Sequence, residues 1–264
     1  MTGTYRAAIC TALTGPESIK ILESEQRSLK DGEVRIRVHA AGLNFPDLLM
    51  TQGKYQFRPD PPFVPGLEAA GEVIEVASDV QDIKAGDRVM AGGKGGALAE
   101  QWIVQQSAVS PLPPALSFRE GACWQTAAST AWHALVERGH LQAGETILVL
   151  GASGGVGMAA VKMAKHIGAT VIGTGSNEEK LQAIHEAGAD HLLDPSDPDL
   201  PSKIKAMTDG RGVDVVFDPV GGELALIATR AIAWNGRYLI VGFASGVIPS
   251  FPANHALIKT YSLI

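Results

Sequence analysis

Two rhythms of apolar spacing run along this chain, and they change over near its middle. In the first half the period is two. Glu33–Ala41 alternates strictly, with Val34, Ile36 and Val38 on one face and Glu33, Arg35 and Arg37 on the other, as a strand with one buried face requires. Arg6–Ile9, Ala69–Val76, Asp87–Ala91 and Ala97–Val104 are further strand candidates, separated by turns such as Lys84-Ala85-Gly86-Asp87. Between them lies the proline-rich stretch Gly42–Pro65, which has no clean periodicity. It predicts an irregular loop with one short helix, and long ordered loops often carry function. The step Ser110–Pro114 reads as a linker, and Ser117–His140 as one helix or two, rich in Ala and Thr.

From Thr146 onward, strands and helices alternate. Thr146–Leu150, Thr170–Thr174, His191–Leu193, Val213–Phe217 and Arg237–Val241 are short apolar or β-branched runs with helical stretches between them. That order predicts a doubly wound parallel sheet. A six-stranded version needs one more strand, and Tyr261–Ile264 reads as its first residues.

The centre of this half is TILVLGASGGVG, residues 146–157, running on into the helix former MAAVKMAKHI. A strand buried on both faces, a glycine turn and a helix together make an anion site, because first-turn N–H groups lack intrahelical partners. Glycines let a pyrophosphate approach the backbone and let the helix pack close to the strand. A strand–turn–helix that binds nothing would show the same local pattern. The second strand, Thr170–Thr174, supplies the context a dinucleotide site requires. The candidate contacts are Ser153, Gly154, Gly155, Val156 and Gly157, with loops at the ends of later strands adding Val220, Gly242, Phe243 and Ala244. Phe243 either covers the nicotinamide end of a cofactor or belongs to the core.

Composition narrows the partners. A net charge of −6 gives no electrostatic reason to expect nucleic acid or an anionic membrane. The length of 264 residues allows two domains or one large one, and 45% hydrophobic content with 30 glycines suits an α/β protein with many tight turns. No apolar run approaches a membrane span, and MTGTYRAAICTAL has no secretory apolar core, so the expected address is the cytoplasm. Only Cys10 and Cys123 are present, too few for a disulfide framework or a four-cysteine zinc site. Cys123, in an Ala-rich segment, reads as a small buried hydrophobe. The seven histidines are not paired at ligand spacing and read as ordinary surface or core residues.

Several of these stretches carry a resemblance. Val64-Pro65-Gly66-Leu67-Glu68-Ala69-Ala70-Gly71, then Ala85-Gly86-Asp87-Arg88-Val89, then Gly154-Gly155-Val156-Gly157, resemble the medium-chain dehydrogenase/reductase superfamily. Gly42-Leu43-Asn44-Phe45-Pro46-Asp47 with Gly53-Lys54-Tyr55, and Asp214-Val215-Val216-Phe217-Asp218-Pro219-Val220-Gly221-Gly222, are similar to its zinc-free quinone oxidoreductase, or zeta-crystallin-like, branch. The similarity covers essentially the whole chain. It implies a GroES-like, β-rich catalytic domain over residues 1–115 and a Rossmann-type dinucleotide domain over 116–264, with the active site in the cleft between them. It also implies a homodimer, and a dinucleotide domain cut off at its sixth strand, without the return segment to the catalytic domain. An edge left open in that way invites pairing with other chains.

The resemblance also bears on metal. Zinc-dependent relatives place a Cys where this chain has Asn44, a His where it has Leu67 and a further Cys where it has Thr126. An amide or a leucine cannot replace thiolate or imidazole in a tetrahedral zinc site, so no metal is expected. Without a Lewis acid, reduction of a carbonyl-type acceptor needs hydrogen-bond donors where negative charge develops. The candidates are Asn44, Tyr55 and Thr130. By resemblance, Asn44 and Thr130 face the nicotinamide and its ribose, and Tyr55 reaches the substrate pocket. Tyr55 is equally read as a loop aromatic packed on Phe57 or Phe63. Asp47 reads as a loop-capping carboxylate rather than an acid–base group.

The adenosine end separates NAD from NADP. An NAD enzyme places an acid at the end of the second strand, to accept from the ribose 2′-hydroxyl. Here Gly173-Thr174-Gly175-Ser176-Asn177 contains none, and Lys180 stands where the similar branch carries a cation for a 2′-phosphate. Thr174, Ser176 and Lys180 are therefore cofactor candidates. Ser176 also reads as the N-cap of a capping box with Glu179. Glu178 and Glu179 place acid near the same phosphate, and the family's adenine-end tyrosine is Pro195 here. The balance favours NADPH. The expected activity is NADPH-dependent, metal-free reduction of a quinone or α,β-unsaturated carbonyl. The alternatives are an enoyl-CoA or enoyl-thioester reductase of the same superfamily, and a crystallin-like cofactor binder with little turnover.

Overall fold

The period-two half folds as antiparallel sheet. In the computed structural model, which describes residues 3–264, β1 (Thr4–Cys10) pairs with β2 (Ile19–Glu25) as a hairpin. β3 (Glu33–Gly42), α1 (Phe45–Thr51), β4 (Glu68–Val76), β5 (Arg88–Gly92), β6 (Gln101–Gln105) and β7 (Val109–Pro111) follow. The sheet order is β6-β3-β4-β5-β7. Val34 and Ile36 face a core with Ala69, Val73, Val89, Ala91 and Trp102, as their alternation predicts. Arg35, on the opposite face, is buried rather than solvated. Its Nε donates to Glu75 Oε2 at 2.7 Å and its Nη2 to the Arg27 carbonyl at 2.5 Å.

Two local readings are corrected here, and one strand lay outside the sequence pattern. β6 begins at Gln101, not Ala97, and the residues before it form a loop touching β1 through a bridge between Ala7 and Ala99. The proline-rich step is in part a strand, because Val109–Pro111 pairs with β5 at the sheet edge, where a residue without an N–H is tolerated. β2 escaped the pattern because Ile21 and Leu22 lie exposed, 66% and 43%, leaving no apolar face to read. The short α2 (Phe118–Gly121), capped by Ser117 accepting from the Glu120 N–H, packs on β3 and β4. The first compact unit accordingly runs to Thr126 and the second begins at Ala127, whereas the proline step marks a boundary at 115/116 in the sequence.

α3 (Gln125–Trp132) widens into a π-helical stretch over His133–Arg138, ending where the Gly139 N–H donates to the Ala134 carbonyl at 2.7 Å. The remaining elements are β8 (Thr146–Val149), α4 (Gly155–Ile167), β9 (Thr170–Thr174), α5 (Glu178–Glu186), β10 (His191–Leu193), α6 (Leu200–Met207), β11 (Val213–Asp218), α7 (Gly222–Thr229), β12 (Ile232–Ile240), α8 (Ala253–Lys259) and β13 (Ser262–Leu263). Every ladder is parallel, in the order β10-β9-β8-β11-β12-β13. This is the doubly wound arrangement that strand–helix alternation predicts.

Both faces of this sheet are covered. Ile147, Val149, Val171, Val215 and Phe217 pack with Ala160, Val161 and Ala164 of α4 on one side. Leu148, Ile172, Val216 and Tyr238 pack with Leu200 and Ile204 of α6 and Ala225 and Ala228 of α7 on the other. Strands with two buried faces read as unbroken apolar runs, which is why this half shows no period of two. Phe217 is fully buried on the α4 side, and truncating such a ring leaves a cavity. Phe217→Ala should destabilise the protein by about 3–5 kcal/mol in urea unfolding. A loss below about 1 kcal/mol would show that this layer is not close-packed.

Candidate functional site

In the second unit the strand order reverses between β8 and β11, the point where open α/β sheets take ligands beyond the carboxyl ends of their strands. At the end of β8 the chain turns through Gly151 at φ +55° and enters α4 at Gly154, which carries no side-chain cap. A Cβ on Gly157 would lie 2.3 Å from the Gly151 carbonyl oxygen, so only glycine lets α4 start this close to β8. A Cβ on Gly155 would meet nothing within 4 Å. The helix start is therefore tight on its strand side and open on its outer side. Gly154 and Gly155 are exposed, Ser153 and Val156 half-buried.

Buried polar side chains fix the turn. Thr174, 1% exposed, accepts from the Gly151 N–H at 3.1 Å through its hydroxyl, and its carbonyl accepts from the Ala152 N–H at 3.2 Å. Its side chain is spent inside the turn. Asp218, also 1% exposed, does the same for the neighbouring loop. Its Oδ1 accepts from the Val220 and Gly221 N–H groups at 2.8 and 2.9 Å, and its Oδ2 from the Tyr238 hydroxyl at 2.8 Å. Burial, then the Asp218 charge, pushes the Tyr238 phenol far above its ordinary pKa. The Ala244 and Ser245 N–H groups donate to the Pro219 and Val220 carbonyls at 3.0 and 2.9 Å. Val220 Cγ2 lies 2.8 Å from where a Gly151 side chain would begin. Ser153–Gly157, Val220 and Gly242–Ala244 thus gather at one end of the sheet.

At the end of β9, Lys180 Nζ donates to Ser176 Oγ at 3.0 Å. The N-cap of α5 is Asn177 rather than Ser176, because the Asn177 side chain accepts from the Lys180 N–H at 2.9 Å. Asn competes well at this position, and Ser176 is left as an exposed hydroxyl paired with a cation. Glu178 and Glu179 are exposed on the first turn of α5.

In the first unit the positions Asn44, Leu67 and Thr126 are brought together around a residue the sequence pattern did not single out. Glu68 is 2% exposed. Its Oε1 accepts from Asn44 Nδ2 at 2.8 Å and its Oε2 from the Thr126 N–H at 2.9 Å. Asn44 is also the N-cap of α1, in a capping box with Asp47. Asp47 is buried, accepting from the Asn44 N–H at 2.8 Å and the Gly66 N–H at 3.0 Å. Burial raises its pKa, and the Glu68 charge adds to the rise. Its capping role is the one read from sequence. Cys123 is exposed, not a buried hydrophobe. Tyr55 is half-buried in the loop after α1, where its carbonyl accepts from Arg58 Nε at 3.1 Å, and Thr130 is half-buried on α3. Among the described residues, no three His, Cys, Asp or Glu side chains are grouped to hold a metal ion. No helix among them is long and apolar enough to cross a membrane.

Sequence comparison speaks to the same two units. Residues 30–114 match the alcohol dehydrogenase GroES-like domain, and residues 155–264 match the zinc-binding dehydrogenase family. A quinone oxidoreductase-like protein 2 homolog from Nematostella vectensis is 41% identical over 262 residues, 98% of this chain and 71% of the relative. The chain belongs to the quinone oxidoreductase-like branch of the medium-chain dehydrogenase/reductase superfamily. A quinone oxidoreductase from Pseudomonas syringae superimposes with TM-score 0.91 at 30% identity, over 98% of this chain and 80% of that one. The Thermus thermophilus quinone oxidoreductase, solved also with NADPH, gives TM-score 0.84 at 32% identity, over 98% and 79%.

Within this quinone oxidoreductase-like frame, Glu68 and Tyr238 are the residues that sequence reasoning passed over, and Asp218, read as part of a cofactor-contact loop, is instead buried as the acceptor that shapes it. A signal existed for Glu68, a lone acid opening the apolar run Ala69-Ala70-Gly71. Tyr238 gave none beyond being an aromatic in a strand. Because Asp218 is buried, losing the Tyr238 hydroxyl leaves one carboxylate oxygen without its donor. Tyr238→Phe should cost about 1–3 kcal/mol in denaturant unfolding. A change under about 0.5 kcal/mol would mean that water replaces the hydroxyl.

Proposed function

We propose that the chain is an NADPH-dependent reductase of quinones or α,β-unsaturated carbonyls, working by direct hydride transfer without a metal. The observation that carries this reading is the open, uncapped start of α4 at the switch point, beside the Lys180–Ser176 pair at the end of β9. The first fits a pyrophosphate, whose oxygens would take the first-turn N–H groups of Gly155, Val156 and Gly157. The second fits a 2′-phosphate, and Gly173–Asn177 offers no carboxylate to a free 2′-hydroxyl. Two relatives of the same family, from Thermus thermophilus and Escherichia coli, have been solved in complex with NADPH.

When bound, NADPH supplies a hydride to the acceptor, and the second hydrogen of the reduced product comes as a proton from water. The protein's part is to hold, orient and polarise. Val220, Gly242, Phe243 and Ala244 border the nicotinamide end of the nucleotide groove. Thr174 acts through the turn it holds rather than by touching the ligand. An asparagine amide has two N–H donors and one carbonyl acceptor. Asn44 spends one side-chain N–H on Glu68, and its backbone N–H is held by Asp47, which leaves one side-chain N–H for the acceptor oxygen as negative charge develops there. Thr130 serves the ribose and Tyr55 the substrate. Leu43, Phe45, Leu48 and Phe57 lie exposed in the same stretch as Asn44 and Tyr55, a surface suited to a flat apolar acceptor. Where zinc relatives need thiolate and imidazole, the polar groups here satisfy one another through Glu68.

Steady-state reduction of a small para-quinone tests this reading directly. Turnover should proceed with NADPH in excess chelator, and an activity abolished by chelation and restored by zinc would refute the metal-free mechanism. A companion titration tests cofactor choice. Lys180→Ala should weaken NADPH binding by about 10-fold or more and leave NADH unchanged, with the difference shrinking as salt rises. Equal weakening of both cofactors would return the site to NADH and make Glu178 or Glu179 the ribose acceptor.

A further inference from the structure

A carboxylate buried without a cation is an expensive thing for a fold to keep. Glu68 makes no ion pair among the described residues, yet it is 2% exposed. Both of its oxygens are used, one by the Asn44 side chain and one by the Thr126 backbone. It is also packed hard against the chain. A Cβ on Gly42 would come within 2.7 Å of Oε1, so the carboxylate fills the space that a side chain at residue 42 would take. A buried methionine or leucine would fill such a space more cheaply if filling were its only role.

We infer that Glu68 is the positioning residue for Asn44, fixing which face of the amide is presented to the substrate; this rests on the reading of Asn44 given above. The amide alone can turn over, offering either its oxygen or its nitrogen. Against a carboxylate only the nitrogen is acceptable, since an amide oxygen there would face another acceptor at hydrogen-bond distance. With Nδ2 bound to Oε1, the second N–H of the same nitrogen has a set direction. A donor aimed in advance costs no reorganisation when charge appears on the acceptor. Thr126 fixes the other oxygen, so the carboxylate itself cannot rotate. α1 and β4 are thereby tied at the point where Asn44 offers its donor.

Glu68→Gln tests this with almost no change in volume. Its side chain has one acceptor and one donor group, so when its oxygen keeps the Thr126 N–H its nitrogen faces Asn44, and the Asn44 amide must turn over or lose its partner. The expected result is kcat lowered by about 10- to 100-fold for a para-quinone, with the Kd for NADPH unchanged. A double-mutant cycle with Asn44→Ala supplies the readout that a merely structural role would not move. If Glu68 acts through Asn44, Glu68→Gln adds nothing in the Asn44→Ala background. Losses that simply add would overturn the inference. So would an unchanged kcat in Glu68→Gln when Asn44→Ala is slow, and in that case the reading of Asn44 survives. If Asn44→Ala itself turns over normally, that reading falls and this one with it. Should Glu68→Gln fail to fold, Glu68→Asp keeps the charge but draws the carboxylate back from Asn44. The same cycle built on Glu68→Asp then decides between non-additive and additive losses.

Discussion

Backbone N–H groups at the carboxyl end of a parallel sheet have run out of ladder partners, and each must find another acceptor. In the second unit the acceptors come from a few buried side chains. Thr174 takes Gly151, and Asp218 takes Val220 and Gly221. Satisfying those donors shapes two loops into walls, with Tyr238 pinning Asp218 from below. The start of α4 receives no such service. Gly154 has no side chain to cap with, and Gly157 lets the helix start close against β8, where its first-turn N–H groups lack intrahelical partners. The proposed anion site lies where those donors stay open.

The first unit obeys the same accounting with carboxylates. Asp47 collects the N–H groups of Asn44 and Gly66, closing α1 onto the loop before β4. Glu68 collects the Asn44 amide and the Thr126 N–H. Both acids are buried, and Asp47 feels the Glu68 charge as a second reason, after burial, to hold its proton more tightly. A proline-rich stretch without periodicity is thus held by two side chains together with the short α1 and a bridge between Phe63 and Cys10. That is how an irregular segment can present a polar group in a defined direction.

This division explains what could be read in advance. The doubly wound half was legible because a strand with two buried faces and a helix with a glycine start leave marks within a dozen residues. β3 was legible because one face is apolar and the other charged. β2, by contrast, exposes its large apolar residues, and β7 spends a proline at a sheet edge, so neither carries a local mark. Individual contacts of the site were harder. Ser176 and Asn177 are both good caps, and only the backbone path decided for Asn177. Glu68 and Tyr238 act on partners more than ten residues away, Asn44 in one case and Asp218 in the other. No spacing rule joins residues across such a gap.

Cys123 shows what the carboxylates do to the chemistry around them. Exposure alone would make it the one accessible thiol of the chain and a candidate nucleophile. A nucleophilic cysteine is a thiolate, stabilised by a nearby cation or a helix N-terminus. Here partial burial and the negative charge of Glu68 both push the Cys123 thiol up, away from the thiolate. The carboxylate bonded to the Asn44 amide therefore adds to burial in disfavouring the Cys123 thiolate. A region arranged in this way disfavours covalent catalysis through sulfur. The proposed function asks for something else of it: a neutral hydrogen-bond donor held in a fixed direction, the group that metal-free hydride transfer to an oxygen-bearing acceptor would use.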